Sequence, residues 1–244
     1  MKKPLVGLLV GFCSLCLPTV GLAQPISSSQ VHPWWLVLAG LLFSLLPLLL
    51  GTASAYLKVS IVLNLLRSGL GAQGVPSAMV IMALSTALSL FVMGPVLDES
   101  LVRAQAIDVS VFTNSPLQGF KNEFAPVAEP WRDFLSQHTG QREREALQDL
   151  RKLQHPGADV STQGFSLLLP AFLLTELREA FAMGFALLIP FLVVDLIVAN
   201  ILTGLGMMMA SPTLISLPLK VLLFLMADGW LLLSRGLIAS YGAP

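Results

Sequence analysis

Nine charged side chains interrupt stretches that are otherwise apolar. They are the bases Lys58, Arg67, Arg178, Lys220 and Arg235 and the acids Glu176, Glu179, Asp195 and Asp228. A charge at the centre of a bilayer costs about 2.5–3.5 kcal/mol on insertion scales, so such groups should face protein or water. The near balance of signs points to pairing, within the chain or between copies, for Lys58, Glu176, Asp195, Lys220 and Asp228. Arg67 and Arg235 sit where a long stem can carry the charge to an interface. Lys58 is expected to meet Glu176 or Asp195. Neighbouring residues on a helix diverge by about 100°, so at least one of Glu176, Arg178 and Glu179 is expected to reach another subunit. Glu176 and Asp195 could alternatively serve as carboxylate carriers in a proton-coupled small-solute transporter.

Other motifs offer less chemistry. Cys13 and Cys16 have C-x-x-C spacing, but they fall inside a leader-like segment rather than a redox or metal site. "GLGAQG" (69–74) is a literal G-x-G-x-x-G. A dinucleotide site needs a strand before those glycines and a helix opening at them; here an apolar helical segment precedes them and Pro76 follows, which suits a hairpin turn. His32, His138 and His155 lack metal-ligand spacing. No nucleophile elbow or metalloprotease motif is present. The residues therefore predict no enzyme, no cofactor and no metal.

A third pattern is softer. In "GLGMMMASP" (204–212) three adjacent methionines stand between two glycines and a proline. Gly204 and Gly206 can release the chain from helix and Pro212 constrains its exit, so these are the expected hinge positions. Met207, Met208 and Met209 would then project from a loop. Repeated around the axis of a symmetric ring, they would form a deformable apolar collar, a gasket that excludes water and ions by dewetting. The plainer reading is gap filling in a core.

The elements that must carry these residues are apolar helices. The chain is 55% hydrophobic and 11% charged with formal net charge zero, and its mean hydropathy is +0.79. Soluble domains carry about 25% charged residues, so this is an integral membrane protein, and its charge argues against a nucleic-acid partner. Residues 1–23 read as a cleavable signal peptide: Lys2 and Lys3, an apolar run, and the small-x-small Gly21-Leu22-Ala23. Residues 24–97 read as an N-terminal hydrophobic helical hairpin. Residues 98–164 hold seven bases and ten acids and read as a polar, partly helical periplasmic insert. Residues 165–244 read as a C-terminal hydrophobic hairpin with the methionine-rich loop. Pro76, Pro190 and Pro212 are expected at turns or kinks. The fold class is thus all-α membrane protein, two hydrophobic hairpins flanking the insert. The short turn after Arg67 is expected to face the cytoplasm, which suits the positive-inside rule.

Two regions resemble the FliP/SctR family of flagellar and virulence type III secretion closely. They are "YLKVSIVLNLLRSGLGAQGVPSAMVIMALSTALSLFVMGPVLDE" (56–99) and "LLPAFLLTELREAFAMGFALLIPFLVVDLIVANILTGLGMMMASPTLISLPLKVLLFLMADGW" (168–230). The stretch "ANILTGLGMMMASPTLISLPLK" is more similar to the virulence branch. The resemblance implies a core export-gate subunit in the bacterial inner membrane. It implies a homo-oligomer, a pentamer, joined by small membrane proteins of the SctS/FliQ and SctT/FliR types and by export-gate and switch subunits. Unfolded secreted proteins would thread through the ring, with the methionine loop as gasket. The resemblance also implies that hairpins which look membrane-spanning are lifted largely out of the bilayer plane and wrapped by partners.

Overall fold

A computed structural model describes residue 40, residue 44 and residues 51–71, 76–106, 116–154, 164–207 and 209–242; side chains are described outside 116–124. The expected signal peptide, both cysteines, His32, His155, Gly74 and Met208 lie outside these residues. The chain divides into two units, Met1–Leu46 and Pro47–Pro244. The helices of the second unit, in order, are α1 (Tyr56–Leu70), α2 (Ala78–Gln105), α3 (Pro116–His138), α4 (Gln141–Gln154), α5 (Phe165–Gly204), α6 (Pro212–Met226) and α7 (Gly229–Gly242). Among the described residues there is no strand.

α1 buries Val59, Val62, Leu63, Leu66 and Leu70, the three-and-four spacing that places side chains on one helical face. It stops at Gly71, whose φ of 71° is left-handed, a helix end that glycine reaches without a Cβ penalty. The G-x-G-x-x-G pattern thus begins in a helix and caps it, with no strand before it. Ser77 caps α2 by accepting the Val80 N–H at 3.4 Å. α2 runs on to Gln105, well beyond the expected boundary at residue 97, so the polar insert starts within its last turns.

α5 is one helix of 40 residues with Pro170 and Pro190 inside it. The sequence predicts a turn or kink at Pro190, because proline removes a backbone donor and its ring crowds the preceding turn. The helix continues because α1, α3, α4 and α6 all pack along it, and apolar membrane helices tolerate such interruptions. The last apolar block, by contrast, is two helices. α6 and α7 meet at a 61° bend, where Asp228 has a φ of 48°.

The packing has two centres. In one, the buried face of α1 meets Ala180 and Phe191 of α5, Ile81 of α2, Phe224 of α6 and Leu237 of α7. In the other, Met93 of α2, Phe134 and Leu135 of α3, and Leu168 and Phe172 of α5 join, with Tyr241 alongside. Helices α1 and α5 come close at glycines: a Cβ on Gly184 would collide with the Leu65 side chain, its Cβ at 3.2 Å, and one on Gly69 would lie 2.9 Å from Phe191. Two described helices, α2 and α5, are long and apolar enough to cross a membrane, and the bent α6–α7 pair is a third if it counts as one span.

Candidate functional site

The charges that interrupt the apolar blocks gather into two clusters. In the first, Lys58 of α1 is 1% exposed, and its Nζ lies 3.1 Å from Glu176 Oε1 and 2.8 Å from Glu179 Oε2 on α5. The two acids are three residues apart, so both side chains reach the same side of α5. Only Glu179 takes a directed hydrogen bond from Nζ; the Glu176 contact is a charge pairing in a site where Glu176 is itself 1% exposed. The Tyr241 hydroxyl of α7 donates to Glu176 Oε2. Its ring lies beneath the ammonium, 4.1 Å from Nζ to the centroid, a favourable position over the negative face of the π-system. Glu179 is 39% exposed, so the surplus negative charge of one base and two acids can reach outward.

Arg178 is rotated away from both acids. Its Nε lies 3.2 Å from Glu143 Oε1 on α4. The polar insert thus folds back onto α5 and meets Arg178 within the chain, while Arg178 and Glu179 both keep part of their surface exposed. Beside it, Gly140 N–H donates to Thr175 Oγ1 at 2.9 Å and Arg144 donates to the Ser136 carbonyl at 2.7 Å. Phe134 stacks on Tyr241 and meets Phe172 edge-on, and the His138 ring packs tilted against Tyr241. The insert is therefore fastened directly over the first cluster.

In the second cluster Lys220 of α6, 3% exposed, lies 2.6 Å from Asp195 Oδ2 on α5. Lys220 also donates to the Gly69 carbonyl at 3.0 Å, and Ser216 donates to Asp195 Oδ1 at 2.5 Å. The free carbonyls at a helix C-terminus carry partial negative charge, so the ammonium neutralises the end of α1 and Asp195 together. Lys220 and Asp195 therefore pair with each other, and Glu176 with Lys58. Asp228 is an exception: it is exposed and, among the described residues, has no ion-pair partner. It sits in the αL turn at the α6–α7 bend, so it takes no part in either cluster.

The methionine turn has a defined cap. Met207 N–H donates to the Leu202 carbonyl at 2.9 Å and Gly206 N–H to the Thr203 carbonyl at 3.0 Å, with Gly206 at φ 73°. This is the Schellman arrangement, in which a left-handed glycine closes the helix end. Gly206 is thus the turning residue. Gly204 is still helical, and Pro212 is the first residue of α6, where a proline loses no helix bond; neither acts as a break of its own. Met207 is half exposed and Met209 wholly so.

Sequence reasoning did not assign Glu179, Tyr241, Ser216, Glu143, Thr175 or His138 to these clusters. The i, i+3 spacing of Glu179 from Glu176 was a usable signal. Nothing local marks Tyr241, which reaches Glu176 across 65 positions.

The sequence pattern of the FliP family matches residues 40–237. "Yop proteins translocation protein R" of Yersinia pestis is 41% identical over 204 residues, covering 82% of this chain and 93% of that protein. "Surface presentation of antigens protein SpaP" of Salmonella typhimurium is 36% identical over 216 residues, 84% and 95% respectively. "Flagellar biosynthetic protein FliP" of Cereibacter sphaeroides is 41% identical over 202 residues, 81% of this chain and 64% of that protein.

Proposed function

The chain belongs to the FliP family, and from that premise we propose that it is a pore-forming core subunit of a type III protein export apparatus in the bacterial inner membrane. Several copies, five by the resemblance, would form a ring with SctS/FliQ-type and SctT/FliR-type proteins. Unfolded secreted proteins would cross through it, and the polar insert would lie on the periplasmic side.

The observation that carries the ring reading is the exposed methionine turn between two rigidly tied helices. Below it, the Lys220–Asp195 pair holds α5 to α6. Met207 is held by the cap at Gly206 and its carbonyl accepts from the Ala210 N–H at 3.2 Å, and Met209 is wholly exposed. A turn so placed presents flexible thioethers at a fixed height, as a collar around an axis requires. α5 supports a protein rather than a wholly lipid surround: its 40 residues extend about 60 Å at 1.5 Å per residue, twice the roughly 30 Å hydrocarbon core. The transporter reading finds little support, since Glu176 and Asp195 are both engaged by bases and hydroxyls of the same chain.

Replacing Met207, Met208 and Met209 together by Ala tests the gasket. The complex should assemble normally while small-ion leakage across the inner membrane rises several-fold by the loss of the dewetting barrier. Unchanged leakage through a correctly assembled complex would remove the gasket from the account.

A further inference from the structure

His138 is the last residue of α3, and each of its ring nitrogens faces an acceptor. Nδ1 lies 2.9 Å from the Phe134 carbonyl oxygen and Nε2 lies 3.3 Å from the Tyr241 carbonyl oxygen. A neutral imidazole has one donor and one lone pair. Either neutral tautomer would therefore set a lone pair against a carbonyl oxygen at one of the two contacts. Only the imidazolium donates to both. The two carbonyls also belong to the C-terminal turns of two different helices, α3 and α7, and the partial negative charge of such turns favours a cation between them.

We propose that His138 is a protonation-controlled latch that fastens the C-terminal turn of α7 to the polar insert. In the protonated state both bonds form. Loss of one proton removes one bond and replaces it with a repulsive contact. Tyr241 would transmit the change, because the residue whose carbonyl His138 holds also places its hydroxyl on Glu176 and its ring under Lys58. Releasing its backbone loosens the lid over the buried cluster.

The charged and titratable groups around the latch come from every neighbouring helix. α2 contributes Glu99 and Arg103, the latter paired with Glu129 of α3, α4 contributes Arg144 and Glu143, α5 contributes Glu176, Arg178 and Glu179, α1 contributes Lys58, and α7 contributes the Tyr241 phenol. Among the described residues none of these carboxylates pairs directly with the imidazole. Arg178 is matched by Glu143, and Lys58 by two acids. Arg144, bonded to the Ser136 carbonyl in the same turn of α3, opposes the imidazolium; the excess acid at Lys58 favours it. The latched form holds one proton more than the released form, so the latch weakens as pH rises. The latch does not depend on a role in export.

The test is amide hydrogen exchange of residues 237–242 in the purified full chain at pH 5.5 and pH 8, corrected for the intrinsic pH dependence of exchange. Protection should fall roughly ten-fold at the higher pH, the weight of one charge-assisted bond, and His138→Phe, which keeps the ring stacking, should abolish that difference. Equal corrected protection at the two pH values in the wild-type chain would overturn the latch, as would an undiminished difference in His138→Phe. Nitrogen-15 spectra of histidine-labelled wild-type protein, with His32 and His155 substituted, give a second reading that needs no change at His138. Both ring nitrogens should carry protons while the C-terminal turn is protected, and a single protonated nitrogen under those conditions would overturn the proposal.

Discussion

Lys58 is a charge on which much of the fold rests, because its buried ammonium meets two carboxylates, one buried and one partly exposed, and an aromatic face. Lys58→Ala would leave Glu176 buried beside Glu179 with no counter-charge. Breaking a buried pair from one side costs about 3–5 kcal/mol, so the variant should lose assembly, read as loss of the purified complex and a lowered unfolding midpoint. Restoring balance is the sharper check. Lys58→Met with Glu176→Gln and Glu179→Gln removes the charges together, and should recover most of that loss, since apolar or neutral replacements of a buried ion cluster are often near neutral. At the second cluster Asp195→Asn strands Lys220, which is almost wholly buried, and should destabilise the chain by a similar amount. Asp228→Asn, at an exposed acid without an ion-pair partner among the described residues, should change the unfolding midpoint by no more than the roughly 0.5 kcal/mol typical of surface sites.

The helices owe their mutual positions to places where no side chain fits. Gly184 lets α1 approach α5 so closely that an added methyl would overlap Leu65. Gly184→Val should therefore cost about 1–3 kcal/mol through overpacking and lower the thermal midpoint, while Gly204→Ala, which has open space around it, should be neutral or slightly stabilising. At this scale the sequence was partly legible. Apolar blocks and their helical period announced α2 and α5, and the insert's spacing announced α3 and α4, because burial periodicity is written locally. Pro190 makes no turn, since the tertiary packing along α5 outweighs a single lost backbone bond. The α6–α7 bend at Ala227 and Asp228 was missed: it turns on a left-handed aspartate, and the Asp228-Gly229 pair is a turn signal that the apolar run on either side overshadowed. Lys58 and Glu176 could be named as partners because buried charges of opposite sign are few. Tyr241 and His138 could not, because an aromatic on one helix and a histidine on another become neighbours only once the insert folds back.

As a whole molecule the chain is built inward from its charges and outward from its apolar faces. The two ion clusters and the insert lock α1, α5, α6 and α7 to one another, while Phe181, Phe185, Leu192 and Leu196 leave one long side of α5 uncovered. A single copy in water would expose far more contiguous apolar surface than monomers tolerate. Lipid covers part of it in the membrane, and on the export reading neighbouring subunits cover the rest. The decisive measurement is native mass spectrometry of the tagged full chain, co-expressed with the genes beside its own and extracted from membranes in mild detergent. The account predicts one dominant species containing several copies of this chain, five by the family resemblance, together with small membrane partners. A chain recovered only as a monomer or dimer, and able by itself to move a small solute into proteoliposomes, would contradict it.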